Sequence, residues 1–82
     1  MIIKYDLQVV ILYALDAYVE SLKKLSNKMV VERVMETFEK SGEEITLRKN
    51  DKEVCKKAII YWERKCGEFY RPLLQEALIL IK

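Results

Sequence analysis

Two runs of apolar residues, one near each end of the chain, constrain this fold more than any other feature of the 82-residue sequence. Residues 9–15 and residues 78–81 contain no charged side chain, so a helix there lacks a charged face. A domain of this size buries only about 60% of the surface that its extended chain exposes. Helices that are apolar on all sides need partners on more than one side. We therefore expect self-association, because one copy offers too few partners for both runs.

The composition indicates a single folded domain over residues 1–82. One Pro, two Gly and no low-complexity stretch leave no place for a linker, and 34% charged residues argue against disorder. The longest apolar run, residues 9–15, is far shorter than the roughly 20 residues that cross a bilayer. No signal-peptide pattern follows Lys4, so we expect a cytoplasmic protein without membrane insertion. A charge set dominated by Glu and Lys, with few amides, is also typical of thermophiles.

Hydrophobic periodicity predicts an all-α protein, a small antiparallel bundle of about four helices. Apolar residues recur at steps of three and four in each segment, with charged residues on the opposite face of the second and third. The helices are predicted at about residues 6–25, 27–41, 51–66 and 71–82.

The segment at residues 43–49 alternates polar and apolar side chains, which places Ile45 and Leu47 on the same side. We favour an extended loop held by these two side chains. The alternative is a short strand that pairs either with residues 1–5 or with its own copy in a dimer.

Several residues predict where helices begin and end. Asp6 can cap the first helix, and Asn50 with Glu53 approaches a capping box at the start of the third. Gly42 and Gly67 suit the left-handed position that often follows a helix end.

The sequence offers no set of residues for catalysis or metal binding. It contains no His, so the usual base for a Ser or Cys nucleophile is missing, and two Cys cannot form a four-ligand zinc site. The acidic pairs, such as Glu43 with Glu44 or Glu32 with Glu36, fall on solvated faces where nothing separates their pKa values. We expect no enzyme, no cofactor and no metal.

Cys55 and Cys66 lie eleven residues apart within the predicted third helix. The helical rise separates their Cα atoms by about 16 Å, whereas a disulfide needs about 7 Å or less. We expect two free thiols in the core. The alternative is a symmetric dimer in which this helix packs antiparallel to its copy and Cys55 approaches Cys66 of the partner.

Residues 48–65 carry seven basic and three acidic side chains. A solvated helix face is the simpler interpretation, and a surface that contacts nucleic-acid phosphates is the alternative. Ile60 points into this polar face, whereas Trp62 falls at the middle of the apolar arc. The residues that would form a nucleic-acid or partner face are Arg48, Lys49, Lys52, Lys56, Lys57, Ile60 and Arg64.

Taken together, these patterns favour a non-enzymatic helical protein that acts through protein contacts as a homo-oligomer, most simply a dimer. Such a protein would serve as an adaptor, an inhibitor or an assembly subunit, with another protein as a further partner. The alternatives are a small nucleic-acid-binding regulator and a bundle that holds an apolar small molecule. The expected self-interface comprises Val9, Leu12, Leu15, Val19, Leu74, Leu78 and Ile81.

Overall fold

The computed structural model describes residues 1–81, and within that range the chain forms four α-helices and no strand. The predicted all-α bundle is therefore confirmed. Residue 82, the end of the predicted last helix, lies outside the described residues. The helices are α1 (Tyr5–Ser21), α2 (Leu25–Lys40), α3 (Lys49–Glu63) and α4 (Arg71–Ile81).

Helix α1 is the centre of the fold, because it packs against each of the other three helices. Its buried residues follow the helical period, so one broad side of α1 faces the core. The other helices supply smaller apolar stripes to the same core. The fully buried large side chains are Ile3, Ile11, Leu15, Val34, Ile45, Cys55, Ile59, Leu74 and Ile81.

Contacts at the two ends of α1 show that α2 and α3 both run antiparallel to it. The Gln8 side chain bonds to Gly42, just after α2, whereas Leu22 shares a cavity wall with Val54 near the start of α3. The Tyr13 ring packs against Trp62 near the end of α3. Short connections join these helices, as expected for an antiparallel bundle.

The helix boundaries differ from the sequence prediction by two to four residues at four places. Helix α1 ends at Ser21 and α2 begins at Leu25, because Leu22 leaves the helix in an extended conformation and packs against the core. Helix α3 covers Lys49–Glu63, so Cys66 lies in the turn that follows it. In that turn, the backbone N–H groups of Lys65 and Cys66 both donate to the Trp62 carbonyl at 2.8 Å.

The predicted helix caps were wrong in position. Helix α1 begins one residue before Asp6, which lies in its first turn. Helix α3 begins before Asn50, and Asp51 takes the role predicted for Glu53: its carboxylate accepts a hydrogen bond of 3.1 Å from the Arg48 backbone N–H. Helix α3 therefore begins two residues earlier than predicted. The bond from the backbone N–H of the N-cap residue to an acidic side chain in the first turn is retained, but Arg48 and Asp51 form it in place of Asn50 and Glu53.

The start of the chain lies against the segment that follows α2. Ile3 N–H donates to the Glu43 carbonyl and Ile45 N–H donates to the Met1 carbonyl, both at 2.8 Å. These bonds form one isolated antiparallel bridge between Ile2 and Glu44. Residues 43–48 are thus an extended loop, as favoured from the sequence, whereas Lys49 already belongs to α3. Ile45 and Leu47 are both buried.

Neither glycine adopts the left-handed conformation predicted for it. Ser41 ends α2 with extended backbone angles, φ −94° and ψ 153°, and the chain continues directly into the bridge with residues 1–3. A left-handed turn at Gly42 is therefore unnecessary, and a Cβ built there would meet only the Tyr5 hydroxyl, at an ordinary 3.5 Å.

Candidate functional site

The subunit covers part of each apolar run and leaves part of it in solvent. In residues 9–15, Val9 and Tyr13 are exposed while the other side chains are buried or half-buried. In residues 78–81, Ile79 is 71% exposed and Leu80 is also exposed. None of the helices in residues 1–81 has the length and hydropathy that a bilayer-spanning segment requires. The side chains of the two runs that the subunit does not bury therefore form exposed apolar surface on α1 and α4.

The residues predicted for a self-interface fall into three groups. Leu15, Leu74 and Ile81 are fully buried inside the subunit, so in this fold they cannot contact a second copy, contrary to the prediction. Three others, Leu12, Val19 and Leu78, are half-buried and pack against the core. Val9 is the one exposed member of the set. The hydrophobic periodicity of the sequence identified these seven residues as apolar. It did not show which of them the other helices of the same subunit would cover.

Three exposed side chains form an inclined row along one side of α1, which we call the α1 stripe. Tyr5, Val9 and Tyr13 are 59%, 44% and 49% exposed. A spacing of four residues keeps them on one side of the helix, with about 12 Å of helix between the first and the last. The stripe contains no charged residue.

At its C-terminal end, the α1 stripe joins a group of four rings, the aromatic cluster. The Tyr13 ring centroid lies 6.0 Å from Trp62 and 6.1 Å from Tyr70, in edge-to-face geometry. Tyr70 in turn lies 5.4 Å from Trp62 and 5.1 Å from Phe69. The contacts with Trp62 and Tyr70 hold the Tyr13 ring at one end of the stripe. Phe69 is 82% exposed and extends the apolar surface of the stripe.

A second surface lies between α1 and the C-terminal part of α3, and we call it the basic groove. It has a volume of about 400 Å³. One side chain comes from α1, three come from α3, and two come from the turn after α3. The lining residues are Tyr18, Lys57, Ile60, Tyr61, Arg64 and Lys65.

The basic groove combines positive charge with aromatic rings. The Tyr18 and Tyr61 centroids lie 5.7 Å apart at 56°, and the Lys65 Nζ lies 5.0 Å from the centre of the Tyr61 ring. Of the residues that the structure describes, no acidic one lines the groove. Within residues 1–81, Lys57 and Arg64 form no ion pair, and neither does Lys65. The groove lining therefore carries three positive charges and two aromatic rings.

The structure brings together three of the residues predicted for a nucleic-acid or partner face, Lys57, Ile60 and Arg64. Ile60 is exposed, as predicted, and forms part of the groove wall. Lys56 lies outside the groove and pairs with Glu53 at 3.6 Å. The other three predicted residues, which also lie outside the groove, are Arg48, Lys49 and Lys52.

The sequence prediction missed three groove residues, Tyr18, Tyr61 and Lys65. Tyr18 lies on α1, about forty residues before the rest of the groove, so no local pattern links it to them. Lys65 was within the basic segment, but its position over the Tyr61 ring depends on α3 ending at Glu63.

A smaller depression of about 270 Å³ continues from the basic groove toward α2, and Tyr18 and Lys57 line both. Four of its seven lining residues are aliphatic, and the Asn27 side chain is its one amide. Val30 of α2 and Val54 of α3 are among these aliphatic residues.

Both cysteines are free thiols within the chain, and their environments differ. Cys55 is fully buried, and this burial, together with the nearby Asp51 carboxylate, raises the pKa of its thiol to about 12. Cys66 is half-buried in the turn after α3. Cys55 is thus held as the neutral thiol, the form that neither attacks disulfides nor binds metals.

Among residues 1–81, no three acidic or cysteine side chains lie close enough together to hold a metal ion. Comparison with known proteins found no matching family model, no matching curated protein and no matching solved structure. The two surfaces therefore have to be interpreted from their own chemistry.

Proposed function

We propose that the protein acts without catalysis, through protein–protein contacts, as a homodimer in which α1 of one copy packs against α1 of the other. The observation that carries this proposal is the α1 stripe, an uncharged line of exposed side chains on the central helix. Contiguous apolar surface of this kind on a small domain is typical of an interaction site.

A second copy is the partner we favour, because the α1 stripe is symmetric about its middle residue. If two α1 helices pair antiparallel about a twofold axis at Val9, then Val9 meets its own copy and Tyr5 meets the Tyr13 of the partner. A twofold interface requires this kind of self-complementary patch. In this pairing a tyrosine of one copy meets a tyrosine of the other at each end of the α1 stripe.

The surroundings of the α1 stripe suit an interface. The aromatic cluster continues the apolar surface beyond Tyr13, and aromatic residues are enriched at the centres of interfaces. A net charge of only +2 opposes the approach of a second copy weakly. Binding of two copies would cover apolar surface that each subunit leaves in water.

The first experiment measures molar mass by light scattering coupled to gel filtration over micromolar concentrations. We expect a dimer for the unmodified chain and a monomer for Val9→Asp, because the substitution sets two carboxylates against each other at the twofold axis. Ile79→Asp, an equally conspicuous change on exposed α4, should leave the dimer intact. A monomeric unmodified chain would contradict the proposal.

A second experiment tests the register of the interface. In a Cys66→Ser background, a Val9→Cys variant should form a disulfide-linked dimer under mild oxidation, because the two introduced thiols face each other. An Ile79→Cys variant in the same background should remain monomeric on a non-reducing gel. Cross-linking at residue 79 with none at residue 9 would move the interface to α4 and overturn the α1 pairing.

A further inference from the structure

The basic groove shares no residue with the α1 stripe and points to a second binding activity. We propose that it binds single-stranded nucleic acid. Bases stack on the Tyr18 and Tyr61 rings, and backbone phosphates contact the cations of the groove rim. These cations are Lys57, Arg64 and Lys65.

Charge complementarity selects an anionic partner. Three cations converge on one concavity, and the nearest ion pair on the same helix, between Lys56 and Glu53, lies outside it. Three like charges around one groove repel each other, and an anion placed among them relieves that repulsion. A polyanion with evenly spaced charges can contact all three cations at once, which strengthens binding by releasing counterions.

The two rings favour a nucleic acid over an acidic peptide. Tyr18 and Tyr61 are half-buried, their rings pack against each other, and both line the groove. A base has a flat face that stacks on such a ring, whereas an acidic side chain does not. Cations beside aromatic rings are the combination found where proteins bind single strands without sequence preference.

The rings also favour a single strand over a duplex. Bases in a duplex stack on one another and pair, so they cannot enter a recessed groove without being unpaired. In a single strand, a base can turn toward the protein while its phosphates stay at the rim. The adjoining depression extends this arrangement, since four of its lining residues are aliphatic and its Asn27 amide can hydrogen-bond to the edge of a second base.

The test uses fluorescence anisotropy with end-labelled oligothymidylate and oligouridylate of about 12 nucleotides, within the range that single-strand-binding domains cover. We expect saturable binding that weakens between about 50 and 200 mM salt. Three phosphate contacts predict a slope of about −2 in a plot of log affinity against log salt concentration.

A matched pair of triple variants tests the cations. The groove variant carries K57Q, R64Q and K65Q. The control variant carries K4Q, R33Q and K40Q, at positions that do not line the groove. Both lower the net charge by three, so general electrostatic attraction changes equally. We expect at least about a tenfold weaker affinity and a nearly flat salt dependence for the groove variant alone. Equal affinities of the two variants would overturn the proposal.

Substitutions of one ring test stacking separately. Tyr61→Leu should weaken binding about tenfold, whereas Tyr61→Phe retains the ring and should bind like the unmodified chain. Circular dichroism of each variant confirms that the helices remain folded. Equal binding by Leu and Phe at this position would exclude stacking and overturn the proposal.

Competition experiments identify the class of ligand. Unlabelled single strands should displace the probe, while a duplex of the same length, a mononucleotide and polyglutamate should displace it at least about tenfold less well. Displacement by the duplex or by polyglutamate at equal concentrations would overturn the proposal, in favour of a duplex surface or an acidic protein partner. Equal displacement by the mononucleotide would reduce the site to a nucleotide pocket and also overturn it.

Discussion

The side-chain amide of Gln8 donates a hydrogen bond of 2.9 Å to the carbonyl of Gly42, thirty-four residues further along the chain. The same amide nitrogen donates a second bond, of 2.7 Å, to the carbonyl of Ile3. Gln8 is 4% exposed and is the one buried polar side chain of residues 1–81. It therefore joins three segments, the chain start, α1 and the loop after α2, at one point inside the protein.

Replacing Gln8 by Met keeps the length of the side chain and removes both donors. The buried Ile3 carbonyl and the part-buried Gly42 carbonyl then both lose their partner, which costs about 2 to 3 kcal/mol. Urea denaturation followed by circular dichroism should show this loss as a lower transition midpoint with an unchanged slope. The matched control is Gln75→Met on the exposed side of α4, expected to change stability by less than about 0.5 kcal/mol. Equal midpoints for the two variants would contradict the role of Gln8.

The contrast between Gln8 and its neighbours shows what the sequence could predict about the fold. Periodicity located all four helices, because an apolar residue at every third or fourth position is a property of each segment by itself. Gln8 interrupts that pattern and reads as a surface position. Its burial follows from the way the loop at Gly42 returns to α1, which is a long-range contact without a local signal.

The interaction surfaces were predictable to the same extent. Lys57, Ile60 and Arg64 lie at steps of three and four on one helix, so their common face followed from the sequence. Tyr18 joins them only because α1 and α3 run antiparallel and in contact. Leu15 was expected at a self-interface, but it is buried. The sequence did not show this, because the burial of Leu15 depends on helices from other parts of the chain that pack on α1.

Alkaline pH should destabilise the protein through Cys55. Its pKa is about 12 in the folded chain and about 8.5 in an unfolded one. Between these values the unfolded state loses its proton and the folded state keeps it, so the free energy of unfolding falls as pH rises. The expected loss is about 2 kcal/mol between about pH 9 and pH 11.

The measurement compares the pH dependence of urea unfolding for the unmodified chain and for Cys55→Ala. Every other titratable group is common to both proteins, so the difference between the two curves isolates the thiol. Cys55→Ala should be less stable at neutral pH because of the cavity, and its disadvantage should shrink as pH rises. Parallel curves would show that Cys55 does not remain protonated in the folded state.

The start of α3 offers a direct test of which residue caps it. Asp51→Ala removes the acceptor of the Arg48 N–H and a negative charge from the first helical turn, so we expect a loss of about 1 kcal/mol. Asn50→Ala, at the position that the sequence had suggested as the cap, should cost less than about 0.5 kcal/mol because Asn50 is exposed and lies within the helix. Thermal unfolding of the two variants side by side decides between these positions. A larger loss for Asn50→Ala would mean that α3 begins later than Lys49.

The aromatic cluster should show energetic coupling between helices that are far apart in sequence. Tyr13 on α1 and Trp62 on α3 are in edge-to-face contact at 6.0 Å, and such pairs contribute about 0.5 to 1.5 kcal/mol beyond the area they bury. A double-mutant cycle of Tyr13→Leu and Trp62→Leu should return a coupling energy in that range. The cycle is measured in the Val9→Asp background, so that dissociation of a dimer does not enter the unfolding free energy.

The matched cycle pairs Trp62→Leu with Tyr5→Leu, since Tyr5 belongs to the same stripe but makes no ring contact with Trp62. Its coupling should fall within about 0.5 kcal/mol of zero, the usual additivity of separated sites. If both cycles gave the same coupling, the contact between Tyr13 and Trp62 would not be what holds the end of the α1 stripe. Coupling confined to Tyr13 would show that α3 fixes this end of the stripe within one subunit, so that in the proposed dimer a partner helix would meet a ring that is already in place.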